Sequence, residues 1–139
     1  MGEMVRERTA ACVCGELRIT VRGEPRRVYV CSCLDCQATT GSVIAYRAIF
    51  SEEAVVATEG QGRRWRRIAT SGWLDQTFCP ACGAVVWMTA EALVGARSVS
   101  AGCFRDPSFP PPMAAHWSSR RPAWLQLSGV ADASDRRRA

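Results

Sequence analysis

The chain has 139 residues, 47% hydrophobic and 22% charged, a balance that excludes intrinsic disorder and points to one globular domain. No stretch approaches the ~18–20 apolar residues of a membrane span, and residues 1–8 lack the apolar segment of a secretory signal, so a cytoplasmic location is expected. The +5 formal charge rests on arginine alone, Lys being absent. It falls to about +2 if seven cysteines bind two Zn²⁺ as thiolates, so it lends a nucleic-acid partner little support.

Residues 1–10 are polar and read as a flexible N-terminal segment, residues 11–130 as one domain, and residues 131–139 as a polar tail carrying Arg136, Arg137 and Arg138. Residues 16–22 alternate polar and apolar, the pattern of a half-buried strand. Gly23-Glu24-Pro25 marks a turn, and residues 28–30 a short strand entering a cysteine cluster. Residues 42–50 are β-branched and aromatic enough for a buried strand. Residues 51–56 suit a short helix, with Ser51 as cap and two glutamates in the first turn; residues 90–93 are a second, weaker helical segment. Residues 64–69 read as a basic edge strand, residues 84–88 and 98–104 as further strands, and residues 124–127 as a last one. Asp106-Pro107 and Pro110-Pro111-Pro112 hold the chain extended. Many short strands punctuated by Gly and Pro predict an all-β domain.

Eight cysteines are the unusual feature. Seven cluster: Cys12 and Cys14, then Cys31, Cys33 and Cys36, then Cys79 and Cys82. In a reducing compartment such clusters read as metal sites rather than disulfides, and a thioredoxin-like redox pair lacks its βαβ context. An iron–sulfur cluster is the weaker metal reading beside zinc. Cys14-Gly15 and Cys82-Gly83 are alike: a Gly after the cysteine tolerates the positive φ of a tight metal-binding turn. The first and third groups therefore pair naturally as one closed four-sulfur site. Cys31, Cys33 and Cys36 can all reach a second ion and leave its fourth position without a local ligand, the pattern of a catalytic or substrate-binding zinc. Completion by His116 into a second structural site is the alternative. Cys103 reads as a small core residue in an apolar strand.

Taken together, Cys12-x-Cys14-Gly15, Cys31-x-Cys33-x-x-Cys36, Thr39-Thr40-Gly41-Ser42, Phe78-Cys79-x-x-Cys82-Gly83, residues 102–107, His116-Trp117 and Trp124 resemble the glutathione-dependent formaldehyde-activating / centromere protein V family, from about residue 10 to about residue 130. The resemblance implies a zinc-stabilised all-β "β-tent" with short helical turns only. It implies two zincs per chain, a structural one on Cys12, Cys14, Cys79 and Cys82 and a more labile, catalytic-type one on Cys31, Cys33 and Cys36. The implied activity is that of a carbon–sulfur lyase joining glutathione to formaldehyde as S-hydroxymethylglutathione. A thiol bound to zinc loses its proton, which suits an open zinc position. Glutathione carries two carboxylates, for which Arg47 and Arg105 are candidate partners. Asp35 is a candidate base, though a turn-capping role suits it better. His116, the only histidine, is a candidate site residue because its place after the prolines matches a family histidine.

Two other classes compete. A non-catalytic zinc scaffold could bind protein or nucleic acid through Arg63-Arg64-Trp65-Arg66-Arg67, and a thiol sensor could use the three-cysteine zinc. The expected partner is a small thiol; a membrane is excluded and nucleic acid disfavoured, while the Pro- and Trp-rich C-terminal segments suit either a core cover or a homodimer face.

Overall fold

The computed structural model describes residues 5–133. Eleven strands build two sheets, without barrel closure. The smaller is antiparallel, in the order β1 (Glu7–Ala11), β2 (Arg18–Arg22), β5 (Val55–Glu59). The larger has eight strands. Its centre is β3 (Arg27–Cys31), β4 (Ala45–Ser51), β9 (Ala96–Ser100), β8 (Val85–Ala90), β7 (Gly72–Phe78) and β6 (Arg63–Ala69), paired antiparallel in that order. Beyond β3 lie β10 (Ala114–His116) and β11 (Ala131–Asp132), both paired parallel. The all-β expectation holds, with one short helix, α1 (Leu34–Thr40), beside three 3₁₀ turns.

The two sheets bury one core. Ala10, Ile19 and Val21 of the small sheet meet Val28, Ala48, Phe50, Val86 and Val99 of the large one. Alternation along β4 then dictates the other face: Ala48 and Phe50 point into the core, so Arg47 and Ile49 point away from it. The residues behind the core face, among them Arg27, Tyr29, Arg47, Ile49 and Met88, line a cavity on the opposite side of the large sheet. Burial on both faces explains why residues 42–50 are so apolar in sequence.

Several segments differ from the sequence reading. Glu7–Ala11 is a strand, not part of a flexible segment. Its polar look comes from Arg8, which points inward with its guanidinium over the Phe109 ring (5.1 Å) and donates to the Gly23 carbonyl (3.2 Å). Ala131–Asp132 likewise pairs with β10 inside the segment read as tail, while Arg136, Arg137 and Arg138 lie outside the described residues. The helix expected over 51–56 is a single 3₁₀ turn, Glu52–Ala54, running into β5. Residues 90–93 form a turn closed by the Leu93 N–H on the Ala90 carbonyl. The strand expected over 98–104 stops at Ser100 and continues as a 3₁₀ turn, Ala101–Phe104. Residues 124–127 form no strand: the chain after Pro122 turns, with Arg121 Nε on the Leu125 carbonyl (3.2 Å).

Strands β7 and β10 and helix α1 had no expectation. β7 buries Asp75, Gln76 and Thr77 and so lacks an apolar alternation. α1 is capped by a cysteine: Cys33 Sγ accepts from the Cys36 N–H (3.3 Å), taking the place of the usual hydroxyl or carboxylate. Its threonines return their hydroxyls to the carbonyls of Asp35 and Cys36 (both 2.8 Å), and Gly41 ends it at φ 71°. Neither cap chemistry nor apolar periodicity announces such a helix.

Candidate metal centres and the cavity between arginines

The first cysteine group leaves β1 and the third leaves β7, and the two turns share one hydrogen-bond plan. Cys12 N–H reaches the Leu17 carbonyl and Cys79 N–H the Ala84 carbonyl (both 3.0 Å). Gly15 and Gly83 fold back onto the carbonyls of Cys12 and Cys79 (3.0 and 2.7 Å). Both glycines have positive φ, 83° and 84°. The four Sγ atoms of Cys12, Cys14, Cys79 and Cys82 lie within 4.8 Å of one another, with Cys12–Cys14 at 3.6 Å and Cys14–Cys79 at 3.7 Å. A tetrahedral ion with ~2.3 Å bonds to sulfur requires edges of ~3.8 Å, so the set fits zinc. Backbone N–H groups support the sulfurs: Leu17 donates to Cys12 Sγ (3.2 Å), and the Ala84 amide, followed by that of Cys14, lowers the Cys82 thiol to about 6.

Arg105 belongs to this centre. Held at φ 53°, it donates to the carbonyls of Cys12 (3.1 Å) and Val13 (3.0 Å), and it does not line the cavity. Its guanidinium braces the first cysteine turn, which places this candidate partner of the substrate's carboxylates at the four-sulfur cluster and away from the cavity. Cys103 packs against the core as expected, but from the 3₁₀ turn, with Sγ 3.7 Å from the Val85 carbonyl.

The second centre is assembled by β3 and α1. Cys31 ends the strand, Cys33 caps the helix, Cys36 lies one turn in, and their sulfurs lie within 4.8 Å of one another. Among the described residues no fourth Cys, His, Asp or Glu joins that set. Hydrogen bonds from Cys31 and then Cys36 push Cys33 far below the ordinary thiol range, with Arg67 adding attraction, while Cys33, then Cys36, and burial push Cys31 above it.

These sulfurs open on a cavity of about 500 Å³. Arg27, Arg47 and Arg67 line it, as do the apolar side chains of Ile49, Leu74 and Met88. Arg47, a sequence candidate, is 2% exposed and lies near Cys36; the Cys31 hydrogen bond lowers the Cys36 thiol, but Cys33 and burial outweigh it and leave the thiol raised, with the Arg47 charge only opposing that rise. Arg27 and Arg67 were not anticipated; position in a strand gives no hint of a shared cavity until the sheet curls.

His116 is buried but forms no part of the cavity wall. Its main chain pairs with Cys31, Arg27 donates to its Nε2 (3.4 Å), and the Tyr29 ring packs edge-on at 5.5 Å. Tyr29 in turn bonds Ser98 (2.9 Å), and burial raises its phenol. His116 thus supports Arg27 and Tyr29 from behind, and completion of the three-cysteine set by His116 is not what the geometry provides. Asp35 projects outward, its carboxylate largely exposed and 3.4 Å from Arg67 Nη1, and is not part of the cavity wall.

Two of the four arginines in the basic run of β6 are engaged within the fold. Arg66 makes a two-point pair with Asp75 (2.7 and 3.0 Å) and stacks over Trp73 (4.4 Å), and Arg67 faces the cavity. Among the described residues, no helix is long and apolar enough to cross a membrane.

Two packed sheets joined at a four-sulfur cluster, with a second, three-sulfur cluster facing a cavity, define a β protein with two cysteine clusters that could each hold a metal ion. Residues 7–120 match the family described as glutathione-dependent formaldehyde-activating enzyme, and the chain belongs to that family. Among solved structures, a structural-genomics target protein from Rhodobacter sphaeroides shares the fold at 17% identity, with a TM-score of 0.56 over 74% of this chain and 91% of that one. No curated protein matches the chain.

Proposed function

We propose that the chain is a zinc-dependent enzyme of the carbon–sulfur lyase class that adds a thiol such as glutathione to formaldehyde, giving S-hydroxymethylglutathione, and catalyses the reverse cleavage. The observation that carries the reading is the cluster of Cys31, Cys33 and Cys36, which faces a cavity and has no fourth ligand within 4.8 Å among the described residues. Cys12, Cys14, Cys79 and Cys82 hold the structural zinc in this reading, and Cys31, Cys33 and Cys36 hold the second. Zinc on three thiolates supplies a Lewis-acidic position at which an incoming thiol ionises near neutral pH.

The chain's own residues do the rest. Arg47 and Arg27 hold the substrate's carboxylates, which orients its sulfur toward the cysteine cluster. Tyr29, tied to Ser98, and His116, bonded to Arg27, keep these donors in place. Ile49, Leu74 and Met88 exclude water from the apolar side. In the balanced reaction the sulfur forms a bond to the carbonyl carbon, and the thiol proton ends on the carbonyl oxygen.

Exchange of formaldehyde with glutathione, followed by magnetisation-transfer NMR, tests this. The intact protein accelerates exchange over the spontaneous reaction, and Cys33→Ser falls to the protein-free rate. Equal rates in all three samples remove the enzyme.

A further inference from the structure

Resting on the reading that the cavity beside Cys31, Cys33 and Cys36 takes the thiol, we propose that it selects that thiol by its carboxylates and not by an ammonium group, so that anionic thiols as a class are its ligands. Three arginines line the cavity and, among the described residues, no Asp or Glu does. Arg47 is 2% exposed, its Nε is buried without a partner, and among the described residues its side chain makes no hydrogen bond or ion pair. Arg27 and Arg67 also bury an Nε without a partner, while their outer nitrogens bond His116 and Asp35 (both 3.4 Å).

A buried guanidinium is costly without an anion, and its planar fork matches a carboxylate. The nearby metal would not replace that anion: zinc on three thiolates carries one negative charge and Asp35 on Arg67 a second, which three arginines still exceed. Arg27 and Arg47 stand on neighbouring strands β3 and β4, and Arg67 on the edge strand β6, which the curled sheet brings to the same cavity. Carboxylates at two ends of one ligand are thereby served. The ammonium of glutathione finds no carboxylate on this wall among the described residues: apart from the cysteine cluster, the charged side chains that line it are arginines.

Calorimetric titration of the zinc-loaded full chain, without formaldehyde, tests the proposal with 3-mercaptopropionate, mercaptosuccinate, 2-mercaptoethanol, cysteamine, glutathione and glutathione lacking its α-amino group. The two mercapto acids are expected to bind roughly tenfold or more tighter than 2-mercaptoethanol, as charge-assisted hydrogen bonds of this kind allow. Cysteamine is expected to be weakest, and the des-amino tripeptide to bind at least as well as glutathione. Arg47→Gln and, independently, Arg27→Gln remove the preference for acids while leaving 2-mercaptoethanol binding in place; Arg27→Gln carries this comparison if the buried Arg47 variant fails to fold.

Three results overturn the proposal: mercapto acids no tighter than 2-mercaptoethanol or cysteamine, glutathione more than about tenfold tighter than its des-amino analogue, or no binding by any anionic thiol. A different result separates the two readings. If acids are preferred but no thiol exchanges with formaldehyde faster than the protein-free control, the enzyme reading falls and the anion selectivity stands.

Discussion

Arg47 and Arg105 illustrate how little a residue's type says about its task. Both were candidates for holding carboxylates. Arg47 lies on a central strand with its guanidinium in the cavity, whereas Arg105 spends its hydrogen bonds on two backbone carbonyls of a metal-binding turn. Hydrogen bonds from a charged donor contribute about 1.5–3 kcal/mol each when partly buried. Arg105→Ala is therefore expected to lower the urea midpoint and to speed zinc release from the four-sulfur centre, with the KM for thiol unchanged. A raised KM with an unchanged midpoint would return Arg105 to the substrate. His116 and Asp35 follow the same lesson: one is a buried prop for Arg27, the other an exposed partner of Arg67, and neither role is written in the residue itself.

At the scale of elements, α1 decides whether three cysteines converge. It spans only seven residues and has no apolar stripe, so its stability rests on Cys33 at one end and Gly41 at the other. Gly41 has φ 71°, and a Cβ there would meet nothing within 4 Å, so Gly41→Ala isolates the backbone cost of about 1 kcal/mol. Spectroscopic titration with Co²⁺ is expected to show weaker binding at the three-cysteine centre and unchanged binding at the four-cysteine centre. Equal loss at both centres would mean that α1 does not organise the site. The same cap makes Cys33→Ser a clean probe, because serine is itself a strong N-cap and keeps the helix start while removing a metal ligand.

On the scale of the whole molecule, the four-sulfur centre is a cross-link. Cys12 and Cys14 extend the small sheet, Cys79 and Cys82 the large one, and the core between the sheets is built mostly of alanine and valine, with Phe50 its largest fully buried side chain. Structural zinc contributes about 10–16 kcal/mol of apparent binding energy in small domains, enough to outweigh so modest a core. Cys82→Ser is expected to yield insoluble protein or a melting temperature far below that of Cys33→Ser, which stays folded. A graded chelator should remove one equivalent of zinc with the near-ultraviolet circular dichroism intact, and the second only with unfolding. Matching melts for the two variants would contradict a division between structural and functional centres.

The sequence alone determined the chemistry of the clusters: the spacing and flanking glycines of Cys12, Cys14, Cys79 and Cys82, and the closeness of Cys31, Cys33 and Cys36, limit which sulfurs can share an ion, since short loops constrain reach. It also determined most strands, because alternation is a local property, and with the cluster spacing it pointed to the family. Only the tertiary structure decided what surrounds the second cluster. Arg27 and Arg47 share the paired strands β3 and β4, but Arg67 comes from β6 at the far edge of the sheet and meets them only through sheet order and curl; the helix that carries Cys36 is too short and too polar to show a pattern; and Arg105 was diverted from the cavity by two carbonyls contributed from ninety residues away or more. Such long-range meetings leave no periodic trace in a chain, because each strand encodes which of its faces is buried but not what the opposite face will confront.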